Sequence, residues 1–289
     1  MYGSGWADQP IALSHLSFGA MPAADRIPAT AGIAQGIGWR FLPAAHGETL
    51  EPLLGDPAAL RRLRRRMDDQ GLLSSDAEIL RIGPDGPPPA GAFFEACAIM
   101  GVPNVLVAAD DRDPDRLCAS LARLAEDARA HGLTLALEYM PWTAVPDAAT
   151  ALALVRRIGH PALRVLTDCL HLHRSGAPLP DPGSALHARY VQLCDAAAAF
   201  DPDPARMIAV ARGERLPPGT GGIDLDQLLP GGFAPRLVAI EVPNAARQAR
   251  QAPRDWLAEL VTATRRALGQ LDRSRRDRTP YQDTRRTDR

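Results

Sequence analysis

The chain has 289 residues, of which 46% are hydrophobic, and its formal net charge is −1. This length and composition provide a core large enough for one α/β barrel. The near-neutral charge argues against duplex nucleic acid or an anionic membrane as a partner, so we expect a small neutral or anionic substrate.

The residue types that the sequence lacks exclude several kinds of chemistry and location. All 33 basic residues are arginine, which excludes Schiff-base enzymes and the Walker phosphate loop, because both need lysine. The four cysteines include no C-x-x-C pair, so we expect reduced thiols and no structural zinc. No segment has the layout of a signal peptide or the roughly 20 apolar residues of a membrane span. These features predict a cytoplasmic protein.

Short apolar runs alternate with alanine- and arginine-rich segments of helical spacing, which is typical of repeated strand–helix units on a parallel sheet. Eight strand candidates follow in chain order: IALSHLSF, GWRFLPAA, LLSSDAEILRI, VPNVLVAAD, LTLALEYM, LRVLTDCLH, YVQLCDA and RLVAIEVP. The clearest helices are PAALRRLRRRMDDQG, DRLCASLARLAEDARAHG and WLAELVTATRRALGQL.

Eight such units predict a single-domain (β/α)8 TIM barrel over residues 1–271. An open doubly wound sheet shares the local pattern, but no G-x-G-x-x-G motif follows the first strand. Residues 272–289 are polar, rich in arginine and without apolar periodicity, so we expect a disordered extension there.

Polar residues end the last four strand candidates, where a parallel barrel carries its reactive groups. They are Glu138, Asp168, Gln192 and Glu241. Their spacing predicts that they occupy the same level of adjacent strands. Buried carboxylates at such close range repel one another unless they take up protons or a cation neutralises them. We therefore expect one divalent ion, Mn²⁺, Mg²⁺ or Co²⁺, and all-oxygen donors suit Mg²⁺ or Mn²⁺ best.

Each of these residues also has a structural interpretation. An acidic residue at a strand end can cap a helix or pair with a surface arginine, and Gln192 can be a buried amide with satisfied hydrogen bonds. His171, in the motif D-x-x-H after Asp168, is a candidate acid–base catalyst or a structural histidine.

Three further residues are candidates for substrate binding. Trp142 can form an apolar wall over a sugar ring or belong to the core. Arg174 can face an anionic group of the substrate or solvent. Arg215 lies in a glycine- and proline-rich loop, where its planar fork can clamp a substrate hydroxyl or carboxylate, although such loops also serve as plain connectors.

The motifs LALEYMP, TDCLHLHRSG, YVQLCDA, ERLPPGTGGIDL and VAIEVPN, in this order and spacing, resemble the xylose isomerase-like barrel superfamily of sugar (phosphate) isomerases and epimerases. The resemblance spans most of the chain. It implies that Glu138, Asp168, Gln192 and Glu241 ligate a divalent metal and that the two glutamates are the acid–base pair.

Two positions depart from the pattern of sugar epimerases. Gln192 stands where these enzymes typically have histidine, and it resembles the bacterial 3-dehydroshikimate dehydratase branch, in which the histidine at the position of His171 is proposed to remove the proton. Thr220 stands in a loop that often reads P-G-E-G.

The resulting hypothesis is a metal-dependent sugar or sugar-phosphate isomerase or epimerase that removes a proton next to a carbonyl. Its substrate would be a small carbohydrate or another polyhydroxylated molecule, and homo-oligomers are left open. The first alternative is a lyase of the 3-dehydroshikimate dehydratase type. An abasic-site endonuclease or a non-catalytic barrel fits less well, because the former uses a histidine-rich three-zinc site and the latter would lose its carboxylates.

Overall fold

Eight strands form one closed sheet in chain order, and every neighbouring pair is parallel, including β8 with β1. The computed structural model describes residues 5–43, 50–229, 233 and 235–278. The strands are Ile11–Leu13 (β1), Gly36–Arg40 (β2), Leu73–Ile82 (β3), Asn104–Ala109 (β4), Thr134–Glu138 (β5), Leu163–Asp168 (β6), His187–Leu193 (β7) and Leu237–Ile240 (β8). The prediction of a (β/α)8 TIM barrel is confirmed.

Helices lie between the strands and after the last one. They are Ala23–Thr30 (α1), Pro57–Asp69 (α2), Gly91–Met100 (α3), Pro114–Ala130 (α4), Ala148–Ile158 (α5), Cys169–Arg174 (α6), Pro204–Gly213 (α7), Leu225–Leu228 (α8), Ala245–Gln248 (α9) and Pro253–Arg278 (α10). Aspartate begins several of them. The side chains of Asp113, Asp147 and Asp203 accept hydrogen bonds from the first turns of α4, α5 and α7, where backbone N–H groups have no partner within the helix.

The predicted strands differ from the observed ones mainly at their ends. The first strand stops at Leu13 because a short 3₁₀ helix, His15–Phe18, follows it. The sixth stops at Asp168, whose side chain caps α6. The second and seventh begin earlier than predicted, at Gly36 and His187.

The disordered extension is predicted to begin at residue 272, whereas α10 continues through Arg278. Asp272 accepts hydrogen bonds from the backbone N–H groups of Trp6 and Ala7, both at 2.9 Å, and the guanidinium of Arg275 lies over the Trp6 ring. These contacts therefore hold the end of α10 against residues 6 and 7, although the sequence of this segment has no apolar periodicity. The rest of the predicted extension, residues 279–289, lies outside the described residues.

The barrel interior is filled by a row of mostly small or aliphatic side chains. They are Ile79, Leu106, Ala108, Ala136, Met140, Leu166, Ala188, Tyr190 and Ala239. Since side chains alternate along a strand, a residue two positions beyond one of these also faces inward. A larger core lies between the sheet and the helices. Among the described residues, no helix combines the length and apolarity needed to cross a membrane.

Candidate metal centre

The four predicted ligands lie at the carboxyl ends of β5 to β8, and all are buried. Each follows an inward-facing core residue by two positions. The pairs are Ala136 and Glu138, Leu166 and Asp168, Tyr190 and Gln192, and Ala239 and Glu241. Strand alternation therefore directs all four side chains into the barrel.

In the register between strands, some of these residues lie directly opposite each other and others are offset by two positions. Asp168 lies opposite Gln192, as the spacing predicts. Glu138, however, lies opposite Leu166, two residues before Asp168, and Gln192 lies opposite Ala239, two residues before Glu241. The strands of a closed barrel tilt against its axis, so groups at a similar height are offset in register.

Arg215 connects two of these carboxylates. Its Nη1 donates to Asp168 Oδ2 at 2.6 Å, and its Nη2 lies 2.9 Å from Glu241 Oε2. Its Nε donates to the carbonyl of Ala211 at 2.8 Å, at the end of α7. The guanidinium is buried with both carboxylates. Sequence reasoning predicted Arg215 as a substrate clamp and did not find its contact with the ligand set.

Gln192 offers the centre an oxygen that has no hydrogen bond. Its Nε2 donates to Glu241 Oε1 at 3.1 Å, whereas its Oε1 is buried and has no partner among the described residues. A buried amide oxygen without a partner is costly. This arrangement contradicts the alternative of a fully satisfied structural amide, and it leaves an acceptor available for a cation.

Glu138 and His171 lie side by side. His171 Nε2 is 3.7 Å from Glu138 Oε1, and His171 Nδ1 has no hydrogen-bond partner among the described residues. One atom from each of Glu138, Asp168 and His171 lies within 4.8 Å of the others. The ring of Trp142 meets His171 edge-on, with centroids 5.1 Å apart, so Trp142 borders the candidate centre.

Asp168 has a structural role as well. Its Oδ1 accepts hydrogen bonds from the backbone N–H groups of Leu170 at 2.7 Å and His171 at 3.2 Å, which caps α6. Its Oδ2 faces Arg215. The two interpretations of an acidic residue at a strand end, helix cap and site residue, therefore apply to different oxygens of one carboxylate.

Burial and mutual repulsion shift the pKa values of these groups apart. Burial, followed by the charges of Glu241 and Asp168, raises the pKa of Glu138 well above its ordinary value. Burial raises the pKa of Glu241 to about 8 even though Arg215 opposes this shift. Burial acts in the same direction on Asp168, but the charge and hydrogen bond of Arg215, together with His171, outweigh it and lower the pKa of that carboxyl. One arginine does not neutralise three carboxylates at this range.

The donor set fits a divalent cation. It offers three carboxylates and one amide oxygen, of which Gln192 Oε1 has no partner in the described chain. Hard ions such as Mg²⁺ and Mn²⁺ prefer such oxygen ligands. An ion in contact with Asp168 Oδ2 and Glu241 Oε2 would compete with the guanidinium of Arg215.

Sequence reasoning missed the charged residues that β2 and β3 contribute. Arg40 Nη2 donates to Glu78 Oε2 at 2.5 Å, and Glu78 is buried. Asp76 is also buried, and burial raises its pKa to about 7 despite a hydrogen bond from Ser75. The signal available in the sequence was D-A-E inside LLSSDAEILRI, because alternation puts Asp76 and Glu78 on one face of a strand.

The loop that carries Arg215 is held by Asp195, which sequence reasoning also missed. Asp195 Oδ1 accepts from the backbone N–H groups of Ala196 and Ile223, at 2.8 and 2.9 Å, and Oδ2 accepts from that of Gly221 at 2.8 Å. Its own backbone pairs in both directions with Leu216. These hydrogen bonds fix the shape of the loop. Because Arg215 directly precedes Leu216, they also hold Arg215 in position.

Arg174 contacts the loop after β7. Its Nη2 donates to the carbonyl of Ala197 at 2.9 Å, and its guanidinium lies 4.4 Å from the ring centroid of Phe200. It is largely buried rather than exposed to solvent. Its predicted contact with an anionic group of the substrate stays a prediction.

The model of the family described as xylose isomerase-like TIM barrel matches residues 43–260 of the chain. Comparison with curated proteins finds no match. Among solved structures, the IOLI protein with a bound zinc atom is 15% identical, with 91% of this chain and 99% of that chain covered and a TM-score of 0.72.

Two further structures have the same fold. The probable 3-DHS dehydratase AsbF from Bacillus anthracis is 16% identical, with 88% of this chain and 97% of that chain covered and a TM-score of 0.65. An L-ribulose 3-epimerase is 18% identical, with 95% and 99% covered and a TM-score of 0.64. At these identities the likeness establishes the fold.

Proposed function

The chain belongs to the xylose isomerase-like TIM barrel family, and from this premise we propose that it is a divalent-metal-dependent isomerase or epimerase of a sugar or sugar phosphate. The reaction would move a proton next to a carbonyl group of the substrate. Structures with this fold include an L-ribulose 3-epimerase and a protein with bound zinc, which supports the reaction class and a metal in general terms.

The observation that carries the proposal is the set of oxygen donors on β5 to β8. Glu138, Asp168, Gln192 and Glu241 converge inside the barrel. The amide oxygen of Gln192 has no partner among the described residues, and the pKa of Glu138 and of Glu241 is raised by burial in the absence of a cation. A divalent ion would satisfy both the unpaired oxygen and the excess negative charge.

Each residue has a role in this proposal. The bound ion would act as a Lewis acid on the carbonyl oxygen of the substrate. Glu138 and Glu241, which approach from β5 and from the end of β8, would remove and return the proton. If they contact opposite faces of the substrate, the proton returns to the other face and the product is an epimer. Trp142, beside His171, would cover the sugar ring.

A dehydratase is the second candidate, and the position of His171 favours it. The imidazole lies 3.7 Å from Glu138, and its Nδ1 has no partner in the described chain. A histidine with an available ring nitrogen can take a proton from carbon and return it to the departing hydroxyl, which then leaves as water. Gln192, where the epimerases typically have histidine, points the same way, and AsbF has the same fold.

Metal analysis of the purified protein tests the proposal. We expect about one Mn²⁺, Mg²⁺ or Co²⁺ per chain, and loss of that ion in Glu241→Gln. Glu214→Gln is the matched control, because Glu214 is an exposed glutamate paired with Arg206. Absence of a bound ion, or equal metal content in Glu241→Gln and the wild type, would remove the enzyme hypothesis. Ketoses and 3-dehydroshikimate, each assayed with added metal, then separate isomerase from lyase.

A further inference from the structure

A second group of cationic and polar side chains lies where β1 and β2 end, apart from the four candidate ligands. His15, Arg26, Trp39 and Arg40 line a cavity of about 250 Å³ there, together with the exposed carboxylate of Glu51. The described residues of the proposed metal centre do not line this cavity. Its chemistry therefore needs a separate explanation.

Arg26 is a buried cation that forms no ion pair with a carboxylate in the described part of the chain. Burial lowers its pKa to about 10, and the charges of Glu51 and Glu78 oppose this shift without contacting the guanidinium. It is 8% exposed, its Nε donates to the carbonyl of Met21 at 3.0 Å, and its Nη1 contacts His15 Nδ1 at 2.8 Å. Glu51, the acidic residue nearest in the cavity wall, instead accepts a hydrogen bond from the backbone of Ala23 at 3.1 Å. A buried charge without a counterion is costly, so this position suits an anionic ligand.

His15 adds a hydrogen-bond donor to the same cavity. Because the guanidinium of Arg26 can only donate, His15 Nδ1 accepts, and the ring proton lies on Nε2. No described residue accepts a hydrogen bond from Nε2. Burial, and then the charges of Arg26 and Arg40, lower the pKa of His15 to about 2. The ring is therefore neutral, and its N–H is available to a ligand.

Arg40 links this cavity to the candidate metal centre. Its Nη2 donates to Glu78 Oε2 at 2.5 Å, and Glu78 in turn influences Glu241 through its charge. One residue of the cavity wall therefore contacts a carboxylate whose charge acts on Glu241. The pair between Arg40 and Glu78 lies between these two regions.

We propose that this cavity binds the anionic group, a phosphate or a carboxylate, of the substrate, with Arg26 as its main cation and His15 as a neutral donor. A fork-shaped guanidinium together with N–H donors is the usual protein partner of these oxyanions. The assignment of this anion to the substrate rests on the proposed function, whereas the anion site itself does not.

The experiment is isothermal titration of the full chain with inorganic phosphate and with acetate, in a chloride-free buffer with a chelator. We expect wild-type binding to be weakened about tenfold or more in Arg26→Gln and less in Arg26→Lys, which keeps the charge but loses the fork. Arg254→Gln is the matched control. Its guanidinium also binds backbone carbonyls beside α1 but lies outside this cavity, so we expect less than about a twofold change.

Three outcomes decide the proposal. No binding of either anion by the wild type overturns it, as does equal binding by Arg26→Gln and the wild type. If Arg26→Gln does not fold, unweakened binding by Arg26→Lys overturns the role of the fork. A preference for phosphate or for acetate identifies the group. Metal content, measured on the same preparations before the chelator is added, separates the hypotheses, because phosphate binding by a protein that purifies without metal refutes the proposed function and leaves the anion site intact.

Discussion

Arg215 and Glu241 form a direct ion pair inside the barrel, with Nη2 and Oε2 2.9 Å apart, although Glu241 is a proposed metal ligand. The same guanidinium contacts Asp168 at 2.6 Å. The arginine thus neutralises part of the charge that a divalent ion would neutralise. Binding of a divalent ion would therefore be coupled to the position of Arg215, because both cations would contact the same oxygens.

Replacement of Arg215 tests this coupling. We expect Arg215→Gln to lose about 3–5 kcal/mol of stability in chelator, because it leaves buried carboxylates without a partner. Added Mn²⁺ should then raise its melting temperature more than that of the wild type, since no guanidinium must be displaced. Thermal unfolding with chelator and with Mn²⁺ measures both effects. Arg206→Gln is the control, because its pair with Glu214 is exposed. Equal stabilisation of wild type and Arg215→Gln by Mn²⁺ would contradict the coupling.

Replacement of His171 separates the two candidate reactions. If Glu138 and Glu241 move the proton, His171→Asn should keep its metal and lose less than about tenfold in kcat on the best ketose substrate. The measurements are kcat and metal content of the same preparation. A loss of about a hundredfold or more with the metal retained would assign the base to His171 and favour the dehydratase. His160→Asn is the matched control, because His160 pairs with the exposed Glu126 away from the candidate centre.

Replacement of Asp195 tests the loop that positions Arg215. Asp195→Ala removes acceptors from the backbone N–H groups of Ala196, Gly221 and Ile223. We expect a loss of about 2–4 kcal/mol, because hydrogen bonds to a charged group are worth more than neutral ones. Urea unfolding measures this loss. Gly221→Ala should also destabilise the loop, since an added Cβ would lie 2.5 Å from the carbonyl oxygen of Ala196. Wild-type stability in both variants would refute this role of the loop.

The raised pKa of Asp76 predicts a pH-dependent stability. Burial raises this pKa from 3.8 to about 7, so the folded state holds the proton more tightly than the unfolded state. The wild type should therefore lose stability as the pH rises from about 4 to 7 and bear the full cost above 7. The side chain in Asp76→Asn cannot ionise. The stability advantage of this variant over the wild type should therefore be a few kcal/mol larger at pH 8 than at pH 5.

Urea unfolding of both proteins at the two pH values measures this difference, and the titration of carboxylates that Asp76 does not influence cancels between them. Asp110→Asn is a control, because Asp110 is exposed and paired with Arg81. A stability difference between Asp76→Asn and the wild type that is the same at pH 5 and pH 8 would show that Asp76 does not titrate in this range.

The sequence predicted the barrel because its evidence is local: each unit repeats an apolar run, a turn and an amphipathic segment. The position of Glu138 and Glu241 at strand ends followed from the same local pattern, because a parallel barrel carries its reactive groups there. The partner of Asp168 could not be predicted in this way. Arg215 is 47 residues further along the chain, and only the closure of the sheet brings the two together.

Strand ends were predicted less well because capping and short 3₁₀ turns depend on single hydrogen bonds. The charged residues of β2 and β3 were missed for a different reason. Asp76 and Glu78 lie within a ten-residue strand rather than at its end, so a search of strand ends passes over them. Arg40 and Glu78 show that an ion pair between neighbouring strands requires the register, which the sequence does not specify.

The contact between Asp272 and the backbone of Trp6 and Ala7 has a consequence for how the barrel opens. β1, with three residues, is the shortest of the eight strands, and it closes the cylinder against β8. Because α10 is hydrogen-bonded to the segment just before β1, β1 cannot separate from β8 unless α10 also detaches. Amide protons of Ile11–Leu13 should thus exchange only on global unfolding, and a chain trimmed after residue 271 would exchange them sooner.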